Sequence, residues 1–126
     1  MQINKSLACF IFIALFSCDS LEDKKGRFLL KGNEKLNEND PKAALAFYTE
    51  AIALDSTYVD AFYNKGLAHI QLNQIEEAIS DFNQALLYNS QFTDAYFQRG
   101  LSYLDNGEFY KAREDAEKLK SLDPEH

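Results

Sequence analysis

Few residues in this sequence could do chemistry. The thiols are Cys9 and Cys18, the imidazoles are His69 and His126, and the closely spaced carboxylates are Glu76-Glu77 and Glu114-Asp115-Glu117. A thiol can act as a nucleophile, a disulfide half or a metal ligand; an imidazole can move a proton; paired carboxylates can do acid-base work or hold a cation. Each of these roles needs companions at fixed spacing. Both cysteines fall within the first 18 residues, and no Gly-rich phosphate loop, HExxH or CxxC is present. His69 has no neighbouring motif to supply a catalytic partner and is expected to pack. The carboxylate runs fall on polar sides of amphipathic segments and are expected to be solvated helix faces. No catalysis, metal or cofactor is therefore expected, and what remains is the task of Cys18 and of the chain behind it.

Composition narrows that task. The 126 residues are 46% hydrophobic with seven Tyr and ten Phe, enough for one domain with its own core. With 13 basic against 20 acidic residues the formal net charge is -7, which opposes attraction to a phosphate backbone, so nucleic acid is not an expected partner. From Asp19 onward there is no cysteine, so no disulfide staples the domain.

Lys5 followed by the apolar run "LACFIFIALFSC", Leu7 to Cys18, has the layout of a signal peptide. As a helix this run would rise only about 18 Å against a hydrocarbon core of about 30 Å, too little for a stable membrane span. A buried core helix would seldom lack a polar face in this way. The closing "LFSC", Leu15 to Cys18, resembles the lipobox of bacterial lipoproteins, in which an aliphatic, a variable and a small residue precede the lipid-modified cysteine. That resemblance implies cleavage after Ser17, a diacylglyceryl group on the Cys18 sulfur and loss of Cys9 with residues 1–17. Ordinary cleavage leaving Cys18 unmodified is the alternative. Two or more acyl chains would hold the protein on a membrane where one is marginal. A tether over residues 18–24 would then keep a domain over 25–126 within a few tens of Å of the bilayer, at about 3.5 Å per residue. The localisation expected is the bacterial cell envelope, with the inner or outer membrane left open by "CDSLED".

The domain itself repeats. Ala61, Phe62, Gly66, Leu67 and Ala78 fall 34 residues before Ala95, Tyr96, Gly100, Leu101 and Ala112, while Phe28, Gly32, Ala44, Tyr48 and Ala51 fall 34 before Phe62, Gly66, Ala78, Phe82 and Ala85. Three units result, about 25–58, 59–92 and 93–126. Small residues recur where helices approach closely, and aromatics recur where they fill the gaps. Each unit reads as two helices. Asp40 and Pro41 form an N-cap and first helical residue for a helix to about Leu54, and Ile75, Ala78, Ile79, Phe82, Ala85 and Leu86 share one helical face. "LNENDP", "LNQ" and "DNGE" are the turns between paired helices. The last segment, "FYKAREDAEKLKSL", surrounds Phe109, Ala112, Ala116 and Leu119 with charge and is expected to serve as its own cap.

This pattern resembles the tetratricopeptide repeat, or TPR: Phe28, Phe62 and Tyr96 with Gly32, Gly66 and Gly100 in the first helices, then Ala44, Ala78 and Ala112 followed by Tyr48, Phe82 and Ala116 in the second. Lys31, Lys65 and Arg99 stand where leucine is usual, and His69 where an aromatic is usual. The resemblance implies an all-α fold, a right-handed superhelix of three antiparallel helix pairs, acting as a non-catalytic protein-binding module. TPR arrays line a concave groove with one side of the first helices. Here that side would show Leu29, Asn33 and Leu36, then Asp60, Tyr63, Asn64, Leu67 and Ile70, then Asp94, Phe97, Gln98, Leu101 and Leu104. Burial of these residues against neighbouring helices is the competing reading.

TPR domains that hold acidic chaperone tails use two asparagines and three basic residues. Asn33 and Asn64 match the asparagines, but Leu29, Asp94 and Gln98 stand at the basic positions. The implied ligand is therefore an apolar or aromatic protein or peptide segment, with Lys or Arg accepted by Asp60 and Asp94. A pilotin-like or envelope-assembly role and a regulatory subunit of an envelope enzyme are the alternatives to a static interaction module.

Overall fold

The computed structural model describes residues 20–125; the apolar N-terminal run, Cys9, Cys18 and His126 lie outside the described residues. Six helices follow one another: α1 Leu21–Asn37, α2 Pro41–Leu54, α3 Val59–Gln71, α4 Ile75–Tyr88, α5 Thr93–Asp105 and α6 Phe109–Leu122. None of them is long and apolar enough to cross a membrane. The first helix starts at Leu21, so residues 21–24 form its opening turn, with Ser20 as N-cap accepting from the Asp23 amide. Asp40 caps α2 through the Ala43 amide, with Pro41 at the first turn.

The 34-residue period is also written in the backbone. Asn39, Asn73 and Gly107, one step apart, are the positive-φ residues of the described chain, at 59°, 57° and 75°. Each closes the first helix of its unit and turns the chain back, a left-handed conformation that Asn and Gly adopt at least cost. Helices α1 and α2, α3 and α4, and α5 and α6 thus form antiparallel pairs, and α2 packs on α3 and α4 on α5. The core sits along these contacts as a line of small and aromatic residues. Ala44, Tyr48, Ala51, Ala61, Ala68, Ala78, Phe82, Ala85 and Ala95 are fully buried.

Two glycines are required by this packing. A Cβ on Gly32 would run into the ring of Tyr48, and one on Gly66 would lie 2.6 Å from the ring of Phe82. In the first two units the aromatic of the second helix therefore lies directly on the glycine of the first. The third unit lacks this arrangement, because Ala116 stands at the aromatic position. A Cβ on Gly100 would meet only the Asp115 Cβ at 3.4 Å and the Ala112 carbonyl oxygen at 3.8 Å.

That substitution overturns the expectation that the last helix caps itself. Its charged residues do cover the solvent side of α6, and Ala112 is buried, but Ala116 is too small to close the apolar stripe. Phe109 is 70% exposed, and Ala116 is exposed as well.

Candidate functional site: the first-helix face and the cleft of the third unit

The thirteen residues expected to line a groove do not share one environment. Leu29 and Leu36 pack against the Ala44, Tyr48 and Ala68 cluster. Asn33 and Asn64 are tied together: Asn33 Oδ1 accepts from Asn64 Nδ2 and from the Tyr48 hydroxyl, both at 2.8 Å. This bond joins the first helices of units one and two and occupies groups that could otherwise meet a ligand. Burial pushes the Tyr48 hydroxyl up to about 12, keeping it a proton donor in this bond.

Tyr63 lies 5.8 Å from the Phe82 ring and 4.9 Å from the Phe92 ring, half-buried between units two and three. Burial raises its pKa, with the Asp94 carboxylate adding to the rise. Leu67, Ile70 and Gln98 are partly buried, while Asp60 and Asp94 are exposed. One step on from Tyr63, Leu67 and Ile70 stand Phe97, Leu101 and Leu104, which are 50%, 42% and 48% exposed.

Those three residues border a cleft between α5 and α6. Its volume is about 580 Å³, and its walls include Phe97, Leu101 and Leu104 from α5 with Phe109, Ala116 and Leu119 from α6. Arg113 and Lys120 also reach it. The missing aromatic at position 116 opens this space above Gly100. Sequence reasoning singled out the α5 side, and it missed the cleft. The signal was there: alanine at 116 where 48 and 82 are aromatic.

Sequence reasoning also missed the partners of the basic residues at 31, 65 and 99. Sixteen residues after each stands Phe47, Asp81 or Asp115, across the turn on the second helix. In unit one, Lys31 Nζ lies 5.8 Å from the Phe47 ring centroid. In unit two, Asp81 Oδ1 is 3.4 Å from Lys65 Nζ, and Oδ2 is 2.6 Å from His69 Nδ1. In unit three, Arg99 grips Asp115 with two bonds, Nε to Oδ2 at 2.8 Å and Nη2 to Oδ1 at 2.5 Å, and donates from Nη1 to Asn83 Oδ1 at 2.8 Å.

These departures from the usual leucine are therefore compensated pairs. They lock the first helix of a unit to its second. Asp81 and Asp115 are only 6% and 4% exposed, and burial pushes the Asp81 carboxyl above its ordinary value despite Lys65 and His69. His69 is thus a packed residue with a structural partner. Among the described residues, no buried side-chain polar atom lacks a hydrogen bond, and no cluster of three or more His, Cys, Asp or Glu could hold a metal.

The architecture defines a helical-repeat protein, three helix pairs stacked with a constant step. Sequence comparison sharpens that class. Family models described as "Tetratricopeptide repeat" match residues 27–58, 47–80 and 93–126, and one described as "TPR repeat" matches 66–107. Together they span 27–126, and the chain belongs to the tetratricopeptide-repeat proteins.

Among solved structures, the TPR domain of Arabidopsis OM64 superposes with a TM-score of 0.80 at 24% identity, covering 85% of this chain and 88% of that one. The second TPR of Spaghetti (RPAP3), bound to the HSP90 peptide SRMEEVD, gives 0.76 at 26% identity, covering 79% and 93%. MamA gives 0.76 at 27% identity, covering 91% of this chain and 65% of its own. No curated protein matches the sequence.

Proposed function

We propose that this protein is a lipid-anchored TPR module of a bacterial cell envelope that binds a segment of a partner protein and performs no catalysis itself. The observation that carries the reading is the row Phe97, Leu101 and Leu104, three large apolar side chains left about half exposed on one side of one first helix. Their counterparts one unit earlier, Tyr63, Leu67 and Ile70, are partly buried, so this row is open to a ligand only in the third unit. The Spaghetti structure supports peptide binding by this fold, since it contains a bound HSP90 peptide.

The ligand chemistry differs from that acidic peptide. Asp60 and Asp94 stand exposed near Tyr63 and Phe97, and the Asn33 side-chain oxygen is already taken by Asn64 and Tyr48. An apolar or aromatic segment carrying Lys or Arg fits the concave side, with anchors on the leucine row and charge met by the two aspartates. Cys18 supplies the anchor in this reading. The first helix begins at Leu21, so only a few residues would separate the lipid from the folded array. Confinement to one surface raises the effective concentration for a partner on that surface.

Cross-linking pull-down from membranes tests the binding half, comparing the natural chain with an Asp60→Lys/Asp94→Lys variant. Loss of specific partners from the variant is expected, and recovery of the same partners at the same yield contradicts the concave site. Mass spectrometry of the mature N-terminus tests the anchor. A diacylglyceryl-modified Cys18 is expected; any other unmodified N-terminal residue contradicts it.

A further inference from the structure

The fold shows what belongs on the open face of α6, because the same face of α4 is covered. On α4, Ala78, Ile79, Phe82, Ala85 and Leu86 are all buried. Helix α5 lies over them, with Tyr103 packed in one cluster with Ile79, and Ala95 in another with Ala85 and Leu86. One step of 34 later these positions are Ala112, Arg113, Ala116, Leu119 and Lys120, and all five line the cleft. An apolar strip that is covered by a helix in one unit recurs without its cover in the next. Three changes make the recurrence selective: Ile79 and Leu86 are replaced by the cations Arg113 and Lys120, and Phe82 by the small Ala116.

We infer that this end face docks an amphipathic helix of a partner protein, laid on α6 as α5 lies on α4. The helix carries acidic residues where α5 has Ala95 and Tyr103, opposite Lys120 and Arg113, and a large apolar residue in the space above Ala116. Arg113 now bonds Glu117 at 3.0 Å along the exposed side of α6, a pair weak enough to be exchanged for an incoming carboxylate. Apolar burial in the cleft supplies the attraction, and the two cations choose the partner.

A second copy of this chain is the wrong occupant. Stacked head to tail it would offer the outer side of α1, where Arg27 stands at the position of Ala95 and Lys35 at that of Tyr103. Lys35 is paired there with Glu38 at 2.7 Å, so the case against a second copy rests on its neighbour. Glu34 stands at the place of Ser102, which is buried to 1% exposure, so its carboxylate would be stripped of water there. The charged end of the array thus rejects the open end. The inference shares Phe97, Leu101 and Leu104 with the proposed concave site, but not its charges.

A charge-swap titration separates the outcomes. The purified full chain is titrated with a fluorescein-labelled peptide of residues 92–106 carrying A95E and Y103E, and with a second peptide carrying A95K and Y103K. The acidic peptide is expected to bind at least about five-fold more tightly than the lysine peptide, two exposed charge pairs being at stake. An Arg113→Glu/Lys120→Glu variant, altered only at surface positions, is expected to reverse that order with unchanged circular dichroism. The Asp60→Lys/Asp94→Lys variant is expected to bind the acidic peptide as before, whatever becomes of the concave site. Equal binding of both peptides, no reversal, or no binding up to about 1 mM overturns the inference. Loss of binding in the aspartate variant also overturns it, and so does a head-to-tail dimer in sedimentation.

Discussion

Gly66 and Gly100 occupy the same place in consecutive units, and so do Phe82 and Ala116. In the second unit the phenylalanine ring is fully buried on its glycine, and α5 packs on Ala85 and Leu86 of the same helix. In the third unit no ring lies on the glycine, and a cleft of about 580 Å³ remains beside it. Tyr63 and Phe97 repeat the contrast on the first helices: the tyrosine is wedged between Phe82 and Phe92, whereas its counterpart is half in water. A repeat position therefore has no fixed burial. Its fate depends on what packs against it, so the same residue pattern builds a core in the second unit and an open cleft in the third.

The largest break in this comparison is Phe82→Ala. It should cost about 3–5 kcal/mol, because a fully buried ring leaves a cavity that the second unit cannot collapse. Thermal unfolding should show a melting temperature lower by roughly 12 °C or more. Asp115→Ala should come next, at about 2–3 kcal/mol, since it strands the partly buried Arg99 guanidinium. The double variant R99M/D115L should recover most of that loss in the same assay.

Glycine substitutions probe the contrast itself. Gly66→Ala should cost about 1–3 kcal/mol by forcing its Cβ into the Phe82 ring, whereas Gly100→Ala should be neutral or stabilising by up to about 1 kcal/mol. Equal costs at the two sites would mean that the third unit is closed like the second.

The smallest effect is acid sensitivity at the charged end. Lys25 bonds Asp55 at 2.6 Å and lies 4.8 Å from the Tyr58 ring, fastening the start of the array. Hydrogen bonds from Lys25 and Thr57 hold the Asp55 carboxyl down to about 2. Its folded value is below its ordinary one, so its contribution is complete above about pH 4 and fades as the pH falls toward 2. Unfolding followed between pH 5 and pH 2 should show a steeper loss for the natural chain than for Asp55→Asn.

Much of the fold was legible because it is periodic. The 34-residue step, the N-cap at Asp40 with Pro41, and the helix over 109–122 all appear in the structure where local pattern places them. The pairs Lys65 with Asp81 and Arg99 with Asp115 were not read, although each lies 16 residues apart. Antiparallel packing, rather than local spacing, brings such residues together. The first-helix face was legible as a set of positions, but not its division into tied residues such as Asn33 and Asn64 and open ones such as Leu101. That division depends on neighbours two helices away. The cleft escaped for a related reason: alanine at 116 suits a helix interface equally well whether or not a helix is there.

The claim that partner recognition belongs to the open end and not the charged end can be tested with one photo-cross-linking comparison in native membranes. The cross-linker replaces Leu104, 48% exposed beside the cleft, or Leu30, 67% exposed on α1. The account predicts a discrete protein adduct from position 104 that the A95E/Y103E peptide competes away, and none from position 30. The same adduct at equal yield from both positions, insensitive to the peptide, would contradict it.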